Sequence, residues 1–179
     1  MFNYFFKNFN SLFLTCALAF ISIANAQQVI VIDNKGTINT IRELRVGTDG
    51  LLYTYDNLRT KWLSVDRNLI GWGRNSQNTT DEYLRQFNGA QSNLNGWRMI
   101  RDGTITAITA QCNANQTYTV EIRKNDSATV ISSLAVSNAK GNHDTTININ
   151  FEEGDFLQCY LNGNSIDYPQ VLIEIAWKQ

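Results

Sequence analysis

The sequence predicts an all-β protein: an antiparallel jelly-roll β-sandwich preceded by a small N-terminal hairpin region. Three observations carry this. After residue 96 apolar and polar residues alternate, the period of a strand with one buried face. The alternating runs are short and broken by turn chemistry at Asp49-Gly50, Asp102-Gly103, Lys140-Gly141 and Asn162-Gly163. No segment sustains an amphipathic helix. The best candidate is Thr79 to Phe87, where Thr80 is placed to cap a short turn before Tyr83, Leu84 and Phe87.

Along the chain, residues 1–26 read as a secretory signal peptide. Lys7 is the only charge before an apolar run from Leu12 to Ile23, too short for a membrane span. The run ends in Ala24-Asn25-Ala26, the small-x-small pattern that a signal peptidase reads. Thr15 before Cys16 is a poor match to a lipoprotein site. The expectation is a secreted or cell-surface protein with no membrane span after cleavage. Residues 27–75 form a collar: a strand near Val29 to Ile32, then a hairpin from Leu51–Asp56 through a turn at Asn57–Thr60 to Lys61–Val65. Such a hairpin is marginal alone and needs a surface to pack on. Asn75 to Thr80 is a polar loop and the expected boundary. Residues 76–179 form the sandwich, with strands near 97–101, 104–112, 117–124, 128–136, 144–151, 155–162 and 170–178. Tyr118, Val120 and Ile122 face inward, as do Ile147, Ile149 and Phe151. Val171, Ile173, Ile175 and Trp177 do the same, and the other face of that last strand is partly covered as well. Asn113–Gln116 and Lys124–Ser127 read as hairpin loops.

Charge and composition exclude several functions. Fifteen basic residues face sixteen acidic ones, so no electrostatic footprint for nucleic acid exists. One His and three Cys leave little material for a transition-metal site. The lone His143 sits in a turn-like Gly141-Asn142-His143-Asp144, and no G-x-S-x-G elbow accompanies it, so no catalytic triad is expected. Neither phosphate-binding glycine motif is present. Glu152-Glu153-Gly154-Asp155 is the densest acidic cluster. It reads as a solvated turn in which Gly154 makes the bend; Ca²⁺ is conceivable there, but no EF-hand spacing supports it. No catalytic residue, metal ligand or cofactor is assigned. Cys112 and Cys159 would remain after export, where one intramolecular disulfide or two separate buried thiols are both open.

Aromatics are the remaining signal. Tyr53, Tyr55, Trp62, Trp72 and Trp97 crowd into residues 53–97. Large aromatics mostly serve as buried mass, and exposed ones stack on sugar faces. Tyr53, Tyr55, Trp62 and Trp72 are therefore the candidate ligand-binding residues.

The segment Phe151-Glu152-Glu153-Gly154-Asp155-Phe156-Leu157-Gln158-Cys159-Tyr160-Leu161, with the closing strand Val171–Trp177, resembles the tail of a C1q/TNF-like jelly-roll head. Gly103–Ile108 and Tyr118–Asn125 resemble its middle strands. The upstream hairpin is similar to those that precede such heads in phage tail-fibre and bacterial surface proteins. The resemblance implies a homotrimer that recognises a surface protein or glycan without catalysis. It carries over no ligand residues and, unlike better-known members, this chain has no collagen-like stalk. Two alternatives compete: a monomeric carbohydrate-binding module using the aromatic cluster, and a jelly-roll glycoside hydrolase, which needs two carboxylates in one cleft.

Overall fold

The computed structural model describes residues 27–29, 42–93 and 96–179. The leader and most of the strand expected at Val29 to Ile32 lie outside the described residues. The chain divides into two compact units, 1–55 and 56–179. In the first, β1 (Gln27–Val29) pairs antiparallel with β2 (Arg42–Val46), which pairs in turn with β3 (Leu52–Asp56). The β2–β3 turn is the expected one: Gly50 has φ 79°, and its amide donates to the Gly47 carbonyl. A turn over residues 57–60 then leads to β4 (Lys61–Ser64), so both strands of the expected hairpin are present.

The second unit is the β-sandwich. Its strands are β5 (Asn68–Gly73), β6 (Glu82–Tyr83), β7 (Trp97–Arg98), β8 (Gly103–Lys124), β9 (Val130–Asp144), β10 (Ile149–Phe151), β11 (Phe156–Asn162) and β12 (Gln170–Trp177). All pair antiparallel. The 22-residue β8 organises them. Its first half pairs with β12 on one edge, and β5 lies beyond β12. Its second half pairs with β11 on the same edge, and β6 and β7 lie beyond β11. Along its other edge run β9 and then β10. One layer is therefore β5-β12-β8-β10 and the other is β11 with its short partners, β8 and β9. The first strand lies beside the last, as in a jelly roll.

A single core lies between the layers, because alternation aims one face of each strand inward. On β8 the buried set is Ile108, Ala110, Cys112, Tyr118, Val120 and Ile122, all of one parity. Leu157, Cys159 and Leu161 on β11 meet Val171, Ile173 and Ile175 on β12 in the same cluster. Each fully buried Leu, Ile or Val contributes roughly 1.5–3 kcal/mol relative to exposure. Ile105 is also buried, at the opposite parity. The phase changes because β8 carries one extra residue, Thr106: Glu174 of β12 faces Ala107, and Ile175 faces Ile105.

Several sequence expectations are corrected. Asn113–Gln116 is not a hairpin loop but part of β8. The Asn113 amide donates to the Asp167 carbonyl, and the Gln116 side chain bonds the Ser165 carbonyl and the Asp167 amide. These polar residues bind a neighbouring turn rather than reverse the chain. Lys140-Gly141 likewise lies inside β9. A Cβ at Gly141 would sit 2.5 Å from the Ala110 carbonyl oxygen, so glycine serves close strand approach there. Thr79 to Phe87 contains β6 and no helix; its apolar spacing arises from a bridge, a short strand and a hairpin.

One polar side chain holds the layer edge where β9 ends and β10 begins. Arg59, in the turn before β4, is 7% exposed. Its Nε donates to the Ile147 carbonyl at 2.6 Å, and NH2 donates to those of Thr106 and Thr145 at 2.5 and 2.7 Å. NH1 donates to Asp56 Oδ2 at 2.8 Å. Thr106 is the extra residue of β8, so the guanidinium supplies partners that the ladder lacks at that point. Thr60, next in sequence, is held at φ 54°, a conformation that β-branched residues rarely adopt.

Candidate functional site

An open cleft lies at the edge of the sandwich, where three distant segments meet. Gly71 to Asn75 end β5 and continue past it, Arg85 to Phe87 form one arm of a hairpin, and Tyr168 to Leu172 lead into β12. Its volume is about 460 Å³. Small-molecule sites commonly span roughly 300–1,000 Å³.

Backbone hydrogen bonds fix each wall. Gly73 and Arg85 exchange both of theirs at 2.9 Å, joining the edge of β5 to the hairpin. The hairpin tip is a tight turn, Gln86-Phe87-Asn88-Gly89, closed by the Gly89 amide on the Gln86 carbonyl at 2.9 Å. Gly89 has φ 78°, and Asn88 Oδ1 accepts from the Ala90 amide. This tip holds Phe87 86% exposed. Its ring lies 5.4 Å from that of Trp97, tilted by 39°. Trp97 is anchored by Nε1 donating to the Gly71 carbonyl at 3.1 Å. On the opposite wall Tyr168 stands at φ 50°, with its amide donating to the Ser76 carbonyl at 2.8 Å. Holding a tyrosine in that region costs on the order of 1–2 kcal/mol.

The charges at the cleft are cationic. Arg74 and Arg85 line it, and no Asp or Glu does. Arg74 Nε donates to Glu82 Oε1 at 2.9 Å, and Gln91 reaches the other Glu82 oxygen at 3.4 Å. Arg85 NH1 donates to the Gly89 carbonyl at 3.2 Å, while its Nε is buried with no partner among the described residues. Asn75, Gln86 and Gln170 add amides, and the Gln170 carbonyl oxygen already accepts from Gln111 at 2.7 Å.

The four aromatics singled out from sequence do not form this surface together. Trp72 borders the cleft, but its side chain is 3% exposed and belongs to the core. Tyr53 is buried, with its hydroxyl donating to Asp49 Oδ2 at 2.7 Å. Tyr55 is exposed, and Trp62 is half-buried on β4. Phe87 and Tyr168 carry the exposed aromatic surface of the cleft instead. Sequence reasoning used Phe87 only as part of a helical pattern. The signal that finds it is Asn88-Gly89 immediately after it, a hairpin dipeptide that leaves Phe87 at a tip.

The remaining candidates are structural. Cys112 and Cys159 are free, buried thiols. Cys159 lies opposite Ile122, ten positions beyond Cys112 on β8. At about 3.3 Å per residue this separation far exceeds the roughly 4.4–6.8 Å Cα spacing of a disulfide. Burial pushes the Cys159 thiol well above its ordinary pKa. Cys112 Sγ donates to the Ala114 carbonyl at 3.0 Å. His143 is exposed on β9 rather than in a turn. In the acidic turn Gly154 has φ 89°, and Asp155 is turned toward Lys124, Asn125 and the Glu152 amide. Burial raises the Asp155 pKa, but those three partners outweigh it and hold the carboxyl below its usual range. Among the described residues no group of three His, Cys, Asp or Glu side chains is placed to hold a metal ion. Comparison with protein-family models and with curated proteins returns no match.

Proposed function

We propose that this chain is a non-catalytic recognition protein, secreted or exposed at the cell surface, with a C1q/TNF-like head that assembles as a homotrimer and binds its ligand in the cleft beside β5. The observation that carries the recognition reading is the wall chemistry: an exposed Phe87 at a rigid hairpin tip and a strained Tyr168, with two arginines and no carboxylate between them. Stacking and hydrogen bonding suit such a wall, whereas hydrolysis of a glycosidic bond needs a carboxylate pair. The strand order of the sandwich supports the C1q/TNF-like reading, with its first strand, β5, beside its last, β12. Support for self-association is the edge strand β5. Leu69 is 66% exposed there, and Leu172 shares its face and is half-buried.

Light scattering at several concentrations tests the assembly; a stable mass of three chains is expected, and a mass of one chain refutes the trimer. A single chain that still binds glycans through Phe87 is the carbohydrate-binding-module reading, which the exposed aromatic pair specifically favours. Turnover of aryl-glycosides that is lost in Glu152→Gln or Asp155→Asn refutes the non-catalytic reading.

A further inference from the structure

We propose that the cleft selects an acidic saccharide, with a sugar carboxylate paired to Arg85 and the sugar ring stacked on Phe87. This rests on the recognition reading above and names the ligand class of the same site. The argument is one of unmatched charge. Arg74 forms a neutral pair with Glu82, whose two oxygens are both engaged. Among the described residues Arg85 has no carboxylate partner. Among the described residues its only side-chain acceptor is the uncharged Gly89 carbonyl, and its NH2 has none. Its Nε is shielded from water and unpaired as well. A guanidinium with one side shielded and its remaining donors free binds a planar carboxylate more strongly than an exposed lysine does, because the local dielectric is lower and the fork geometry matches.

The neighbours define the rest of the ligand. Phe87 presents an apolar ring face on the same hairpin, two residues along, and Trp97 backs it at 5.4 Å. Asn75 is exposed at the rim and offers an amide to ring hydroxyls. Apolar ring, amide and a guanidinium without a described carboxylate partner together match a pyranose that bears a carboxylate. A purely anionic ligand leaves Phe87 uncovered, and a neutral sugar leaves the Arg85 charge unmatched.

The test uses the purified protein and an immobilised panel of oligogalacturonate, its methyl ester, sialyllactose, lactose and polyglutamate. Retention of at least one acidic saccharide, roughly tenfold or more weaker for its neutral counterpart, is expected. Arg85→Gln removes that preference, bringing the acid and its neutral counterpart to equal retention; Arg85→Lys keeps part of it. Phe87→Ala weakens both forms. Thermal melts of each variant show that the fold is kept. Equal binding of acid and ester, with Arg85→Gln silent, overturns the acidic selection and leaves recognition in the cleft standing. Retention of polyglutamate alone overturns the saccharide assignment. No retention of any member of the panel overturns the acidic-saccharide assignment as well.

Discussion

Replacing Arg59 by alanine should destabilise the sandwich more than any other single charge removal among the described residues. The side chain is the shared donor for three backbone carbonyls and one carboxylate. The carbonyls come from β8 and from the connection between β9 and β10, 47 to 88 residues away. A buried acceptor left without a donor costs about 1–3 kcal/mol, and breaking a buried ion pair by removing one partner costs about 3–5 kcal/mol. These overlap, since water enters the vacated space, so the expected loss is about 4 kcal/mol rather than their sum. For a unit of this size an unfolding entropy near 2.1 cal/mol/K per residue converts that to a fall in Tm of roughly 15 °C. The assay is a circular-dichroism melt with urea unfolding as the independent measure. Arg74→Ala, which removes a half-exposed pair, is the control and should cost about 1 kcal/mol or less. Arg59→Lys should recover only part of the loss, because one ammonium cannot span three carbonyls on different segments. An Arg59→Ala protein within about 1 kcal/mol of the parent would refute the clamp, since it would mean that the three carbonyls find other partners at no cost.

Asp56 and Asp155 give stability an acid limb. Burial raises the Asp56 pKa, but the Arg59 amide and guanidinium, and then Arg67, outweigh it and leave the carboxyl below its usual range. Both groups therefore contribute fully above the unfolded value near pH 4, and lose that contribution as pH falls through their folded values. Urea unfolding between pH 5 and 2 should flatten in Asp56→Asn and Asp155→Asn, and an unchanged slope in both sinks the assignment. Tyr168→Asn should raise stability by about 1 kcal/mol, because asparagine tolerates the left-handed region, while weakening ligand retention; a loss of stability would show that the tyrosine ring matters to packing. Gly103→Ala should cost about 2–3 kcal/mol, since its Cβ would lie 2.7 Å from the Ala176 carbonyl oxygen and against the Phe151 ring. Alkylation mapped by mass spectrometry should modify Cys112 and Cys159 only after denaturation and without reductant; protection that persists until reductant is added would show a bridge.

The strands were legible wherever one face meets the core and the other meets water. Tyr118, Val120 and Ile122, or Val171, Ile173 and Ile175, announce themselves by period alone. Legibility fails where a strand passes between layers. At Asn113–Gln116 both faces of β8 are polar, so the segment has the composition of a loop although its amides bond the turn at Ser165–Asp167. Arg59 is hidden for a related reason: a basic residue in a polar turn reads as solvated, and only tertiary structure brings the Thr106 bulge to it. The cleft has no local signature at all, because Gly73, Arg85 and Tyr168 converge from separate parts of the chain. Counting aromatic residues could not rank them by exposure. Trp72 satisfies its hydrophobicity in the core, while Phe87 is carried into solvent by a glycine turn that has no use for its ring. Phe87 at 86% exposure and Tyr168 at φ 50° are aromatics that the central core does not hold, which is why the proposed ligand is placed against them.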